Sequence, residues 1–247
     1  MVITSKKLQE NLGVSTRVAD FFANERPVPA DNLFWKNKRI YISAGFGFLT
    51  IPLIYDLVFK LGVSENDLLS DEHVSLMEFG FDKFMQYEHG LLSFPAFIGE
   101  MHNLMKNKIK QTNLADDLFA LFMGEKPKHF EFETKYKALA RSDSFLFTLV
   151  DLDVTDAWVN EFLPYWYAIA RPILLLDDFK DLLTDRMKNE ENTIIELGND
   201  EKAMKAAYEM GIQDLKRLET INPKLSKYMM NLLKESLLYD YIQVDLD

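Results

Sequence analysis

The chain reads as an all-α protein, a helical bundle, and three observations predict it. Its 247 residues, 48% of them hydrophobic, are enough to bury one substantial core as a single domain. Glycine and proline are scarce, ten and eight, and β-branched residues do not gather in alternating runs. The apolar residues, among them nineteen Phe, ten Tyr and three Trp, recur instead at helical spacing.

Taken in order, a short helical pattern opens the chain and stops at NERPVPADN, where Pro27 and Pro29 break regular structure. An apolar helix is expected from Asn37 to about Leu61, closed by Gly62. Its core, YISAGFGFLTIPLIYDLVFKLG, is interrupted by Pro52 and charged at Asp56. It falls short of the ~18–20 apolar residues that span a bilayer, so a buried core helix is the reading. Ser64 or Ser70 caps the next helix, and Asp71 and Glu72 suit a first turn, where the macrodipole favours acids. That helix carries Leu76, Phe79, Phe84 and Tyr87 to Gly90, and another is expected from about Phe94 to Lys110. After a short acidic and apolar helix, MGEKPKHF reads as a loop, and residues 131–150 are expected to be helical. A long helix then starts near Asp156, with Pro172 expected to kink it, and helices over about 201–218 and 223–241 finish the chain. The sum is a bundle of roughly nine helices, without internal repeat or linker.

Charge and cysteine content narrow the function. A formal net charge of −11 repels phosphate backbones and anionic membranes, so no nucleic-acid partner is expected. With no cysteine, disulfides, thiolate nucleophiles and zinc-thiolate sites are excluded. The opening MVITSKKLQE lacks the apolar core of a signal peptide, and a cytoplasmic location is the expectation. The four histidines are dispersed, with no His-Glu-x-x-His, Glu-x-x-His, Gly-rich phosphate loop or Gly-x-Ser-x-Gly elbow.

One stretch stands out, PILLLDDFKDLLTDRMKNEENTII, from Pro172 to Ile195. At ~100° per residue, Asp177, Asp181 and Asp185 drift only ~80° around a helix and form one acidic stripe, with Asp178 on its border. Leu175, Leu176, Phe179, Leu182 and Leu183 fall opposite. A solvated amphipathic face explains such a pattern, helped by Lys180, Thr184 and Lys188. Two features favour a cation site instead. Like charges at i,i+4 repel, and acids near a helix C-terminus oppose the macrodipole. A divalent cation relieves both, and hard carboxylate oxygens suit Mg²⁺.

DDFKDLLTD has the pattern Asp-Asp-x-x-Asp-x-x-x-Asp after a hydrophobic helix. It resembles the second metal-binding motif of the class I isoprenoid synthase superfamily, Asn/Asp-Asp-x-x-Ser/Thr-x-x-x-Glu in terpene cyclases and Asp-Asp-x-x-Asp in trans-prenyl diphosphate synthases. Asp177, Asp181 and Asp185 match the three ligand positions of the cyclase form, with Asp181 in place of the hydroxyl residue. Asn192-Thr193 also looks like the stretch after that motif, and the resemblance covers about residues 131–245. It implies a single-domain bundle with a central cavity, Mg²⁺ as cofactor, a prenyl diphosphate as substrate, and a homodimer. Asp177, Asp178, Asp181 and Asp185 are then the metal set, with Asp177, Asp181 and Arg141 the catalytic residues. Arg141, Lys137 and Lys188 are placed to meet the diphosphate.

The chain departs from the family in two respects. It lacks the first Asp-rich motif; Asp56 is one candidate to replace it, Asp67 with Asp71 and Glu72 a second, Asp82 with Glu88 a third. The Arg-Tyr pair common near cyclase C-termini is also missing: Tyr239 and Tyr241 have no arginine before them. The resemblance therefore implies a terpene synthase-like lyase. Its alternatives are a chain-elongating prenyltransferase, favoured by Asp181, and a helical binding protein that kept the fold without turnover.

Overall fold

The computed structural model describes residues 4–27, 46–239 and 242. The breaker at Pro29, the start of the apolar helix at Asn37, and Tyr241 lie outside them. Among the described residues there are twelve α-helices, one π-helical turn, one 3₁₀ segment and no strand, so the all-α expectation holds. No helix among them is long and apolar enough to cross a membrane. The chain packs as two compact units, one of residues 1–5, 15–132 and 142–163, the other of residues 6–14, 133–141 and 164–247.

The first unit begins with α2 (Thr16–Asp20), which runs into a π-helical turn at Phe21–Glu25. Then come α3 (Phe46–Lys60), α4 (Glu65–Leu68) and α5 (Asp71–Glu88). Both candidate caps are used: the Ser64 hydroxyl accepts from the Asp67 amide and that of Ser70 from His73. After α6 (Phe94–Met105) and α7 (Thr112–Phe122), the Asp117 carboxylate accepts the amides of Lys128, His129 and Phe130 and so shapes the loop. Half-buried aromatic rings pack beside the core, with Phe84 4.7 Å from Phe145 and 5.8 Å from the buried Phe97, ring centre to centre. Such offset and edge contacts add to the gain from burial alone.

Two expectations need correction. The helix from Phe94 stops at Met105, and the lysine-bearing KNKIK segment is not its tail. The helix expected over 131–150 breaks up. Residues 131–135 carry no helix. They are followed by one turn, α8 (Lys137–Ala140), and a 3₁₀ segment, Arg141–Leu149. A nine-residue 3₁₀ run is long for that conformation. Alternating charged and aromatic residues in FEFETKY do not supply a continuous helical face.

In the second unit, α1 (Ser5–Leu12) is followed by Gly13 at φ +64°. The Asn222 side chain crowds the space that a Cβ at Gly13 would occupy, so both the turn and the packing there need glycine. Asn222 caps α12 (Pro223–Ser236) through the Leu225 amide, and its Nδ2 donates to the Leu12 carbonyl at 2.9 Å. The long helix α9 (Asp156–Lys188) starts where expected and runs through both Pro164 and Pro172; it belongs to this unit from Pro164 on. α10 (Thr193–Glu196) and α11 (Glu201–Leu218) follow. Gly211 of α11 leaves room for Leu233 of α12 and Leu175 of α9; a methyl group there would lie 2.7 Å from Leu233 Cδ2. Arg171 of α9 grips Asp214 of α11 with two nitrogens, at 2.8 and 2.5 Å, and its guanidinium lies over the Tyr167 ring.

Candidate functional site

The four aspartates of α9 do not share one face. Asp177 and Asp181 point to water, with side chains 72% and 42% exposed, and Lys180 sits between them at 3.8 and 3.4 Å. Asp178 and Asp185 are 9% and 8% exposed. They lie beside Leu175, Phe179 and Leu182, which are fully buried. Leu183, expected on the buried side, is 43% exposed. The single stripe is thus two pairs. The physical reason is the ~80° drift from Asp177 to Asp185, wide enough to carry the last aspartate from solvent into the contact face.

The buried pair holds the chain that follows the helix. Asn192 Nδ2 donates to the Asp178 carbonyl and to Asp185 Oδ2, both at 2.8 Å. The Thr193 amide donates to Asp178 Oδ2 at 3.0 Å. Asn192 Oδ1 in turn accepts from the Ile194 amide and caps α10. Asn192 and Thr193 are themselves fully buried. One side chain, Asn192, therefore closes α9, starts α10 and fixes Asp185.

These surroundings disturb the carboxyls. Burial pushes Asp178 up to about 6; Thr193 opposes the shift, and Asp177 and Asp185 add to it. The Thr193 hydroxyl lies close enough to temper the shift but is not placed for a hydrogen bond, so the amide makes the bond. Asp177 is also raised, by desolvation first and then by Asp181 and Asp185, against the pull of Lys180. With most of that side chain in water, mutual repulsion is the cause that persists.

α10 also anchors the basic residues. Glu196 at its end accepts the Lys137 and Ala138 amides at 2.9 and 3.0 Å and thereby starts α8. Arg141, one turn on, lies 3.3 Å from Glu191 in the segment between α9 and α10. Four residues of α10 thus tie the Lys137–Arg141 turn to the end of the acidic helix. The Lys137 side chain is exposed. Lys188 is 3.7 Å from Glu190 rather than with the aspartates, and Arg186 bonds Asn199.

Asp56, the first candidate to replace the missing acidic motif, is held by protein partners. It is 1% exposed, accepts the Ser15 amide and pairs with Lys60, both at 2.6 Å. Its place is inside the first unit. The other candidates are likewise engaged: Asp67 with Ser64, Asp71 with Arg26, and Asp82 with Gln86.

Among the described residues no three acidic or histidine side chains converge as a ready cation cage. Mg²⁺ rarely uses such cages; it takes one or two carboxylates and completes its shell with water and phosphate oxygens. The exposed, mutually repelling Asp177 and Asp181 fit that smaller demand, and the buried pair fits it less well. The sequence pattern held a signal for this split. Leu175, Asp178, Leu182 and Asp185 are spaced i, i+3, i+7, i+10, which is the rhythm of a contact face. The roles of Glu196 and of Arg171 with Asp214 have no comparable signature. Comparison of the chain with family models, curated proteins and solved structures finds no match.

Proposed function

We propose that this chain is a prenyl-diphosphate enzyme of the terpene synthase kind, with the exposed α9 pair, Asp177 and Asp181, as its cation-dependent diphosphate site. The observation that carries the reading is the excess of carboxylate on α9. Four aspartates fall within nine residues with Lys180 as the one lysine among them, and Asp177 and Asp178 are both held above the ordinary carboxylate range. A helix surface of this kind lowers its own repulsion when a cation joins it.

In this reading Asp177 and Asp181 offer oxygens to Mg²⁺, which, when bound, neutralises charge on the diphosphate as the allylic C–O bond breaks. The electron pair leaves with the diphosphate oxygen, and the allylic cation, cyclised or not, would be quenched by loss of a proton to give a hydrocarbon or by water, with loss of a proton, to give an alcohol. Asp178 and Asp185 act as positioning residues that hold the end of α9 against α10. Arg141, fixed through α8 and α10, adds a cation on the side of Glu191. The Asp at position 181 supports a second reading, a prenyltransferase that adds isopentenyl diphosphate to an allylic partner.

The test is diphosphate release from geranyl, farnesyl and geranylgeranyl diphosphate, with and without Mg²⁺, with organic extracts analysed by mass spectrometry. Mg²⁺-dependent release with a hydrocarbon or alcohol product is the expected result. Release only when isopentenyl diphosphate is added points to the prenyltransferase. No release under either condition ends both readings and leaves a binding protein.

A further inference from the structure

The first unit holds a second group of titratable side chains, unrelated to the acidic helix. Tyr55 of α3 and His73, in the first turn of α5, are each 2% exposed, and their ring centres approach to 5.4 Å. His73 Nδ1 lies 2.8 Å from Asp151 Oδ1. An ionised carboxylate only accepts, so this contact assigns the ring proton to Nδ1 and leaves a lone pair at Nε2 in the neutral ring. Among the described residues, Tyr55 Oη and His73 Nε2 have no hydrogen-bond partner.

Two such atoms on neighbouring buried rings call for an explanation. An unmet buried donor or acceptor forfeits its hydration, and native interiors meet nearly all of them with protein groups or ordered water. The nearby charges are engaged: Arg26 grips Glu78 with two nitrogens at 2.9 and 2.8 Å and also binds Asp71 and Ser75. The Tyr55 phenol is held well above its ordinary range, by burial first and then by Asp151 and Glu78 against the pull of Arg26. It keeps its proton and is a donor. The site thus pairs one donor with one acceptor.

We propose that Tyr55 and His73 form a closed internal site for one hydroxyl oxygen, a water molecule, that accepts from Tyr55 Oη and donates to His73 Nε2. The same water completes a hydrogen-bonded line from Tyr55 through His73 to Asp151, joining α3, α5 and the turn after the 3₁₀ segment. Water presents an acceptor and a donor on one atom, as the pair requires. An anion would face the Asp151 and Glu78 carboxylates, and a metal cation has no group to accept the phenol proton.

Tyr55→Phe removes the donor and keeps the ring. With the water in place, the variant of the full chain loses one long-lived internal water, counted by oxygen-17 relaxation dispersion, and its Tm falls by about 2–4 °C. A rise in Tm means the hydroxyl was an unmet burden in the folded protein, and an unchanged water count means no water depends on it; either overturns the proposal. The wild-type chain supplies a check that needs no variant. A high-resolution crystal structure is expected to show one water-sized density peak within hydrogen-bonding reach of both atoms. No peak, or one with the anomalous signal of a metal, refutes the site.

Discussion

Replacing Asp178 with Asn tests the division of the aspartates most directly. The Asp178 carboxyl moves from 3.8 in its ordinary state to about 6 in the folded chain. A carboxyl raised on folding contributes stability that is complete below the lower value and is lost as pH rises through the upper one. Above about pH 6 the folded chain therefore carries the full cost of a buried charge. Two pH units at about 1.4 kcal/mol each put that cost near 3 kcal/mol as an upper bound. Asn keeps an oxygen for the Thr193 amide and carries no charge into the buried site. Asp178→Asn is thus expected to be more stable than the wild type by about 1–3 kcal/mol at pH 7 without divalent cations. The advantage should shrink through pH 5.5 and be gone near pH 3.5. Urea unfolding followed by circular dichroism at the three pH values measures it. A variant that is less stable at pH 7, or whose advantage does not change with pH, refutes the reasoning.

The remaining predictions concern the same unit. Asp177→Ala and Asp181→Ala should remove Mg²⁺-dependent diphosphate release while leaving the circular dichroism spectrum and Tm unchanged; full activity in either ends the metal-site proposal. Asp178→Asn, by contrast, should keep turnover within about tenfold of the wild type, because its carboxylate holds Thr193 rather than the cation. Asn192→Ala leaves the Asp185 carboxylate without its buried donor and α10 without its cap, and a loss of about 2–4 kcal/mol is expected by urea unfolding. Asp214→Ala leaves the Arg171 guanidinium with the more exposed Glu133, 3.1 Å away, as its remaining carboxylate partner and should cost about 1–3 kcal/mol; an unchanged stability would contradict this.

Much of the architecture was legible in the sequence because helix patterns are local. The starts at Ser70 and Asp156 and the bounds of 201–218 follow from capping residues and apolar spacing, which act within a few residues along the chain. The failures are also physical. Residues 131–150 were expected to be one helix because helical spacing of apolar residues does not distinguish an α-helix from a 3₁₀ run. Asp117, which accepts amides just before that region, and Glu196, which accepts two amides within it, both lie outside it in the sequence. Asp56 looked like a candidate ligand because one acid in an apolar helix is ambiguous until its partners Ser15 and Lys60 are seen.

The sequence by itself determined that this is a helical protein with an unusual density of carboxylate on one long helix, since composition and i,i+4 spacing need no partner to be read. Only the tertiary structure decided which of those carboxylates face water. A helix has no inside until α10 and its Asn192 and Thr193 come to rest on one side of it. That contact desolvates Asp178 and Asp185, raises the first of them, and leaves Asp177 and Asp181 as the pair exposed to water.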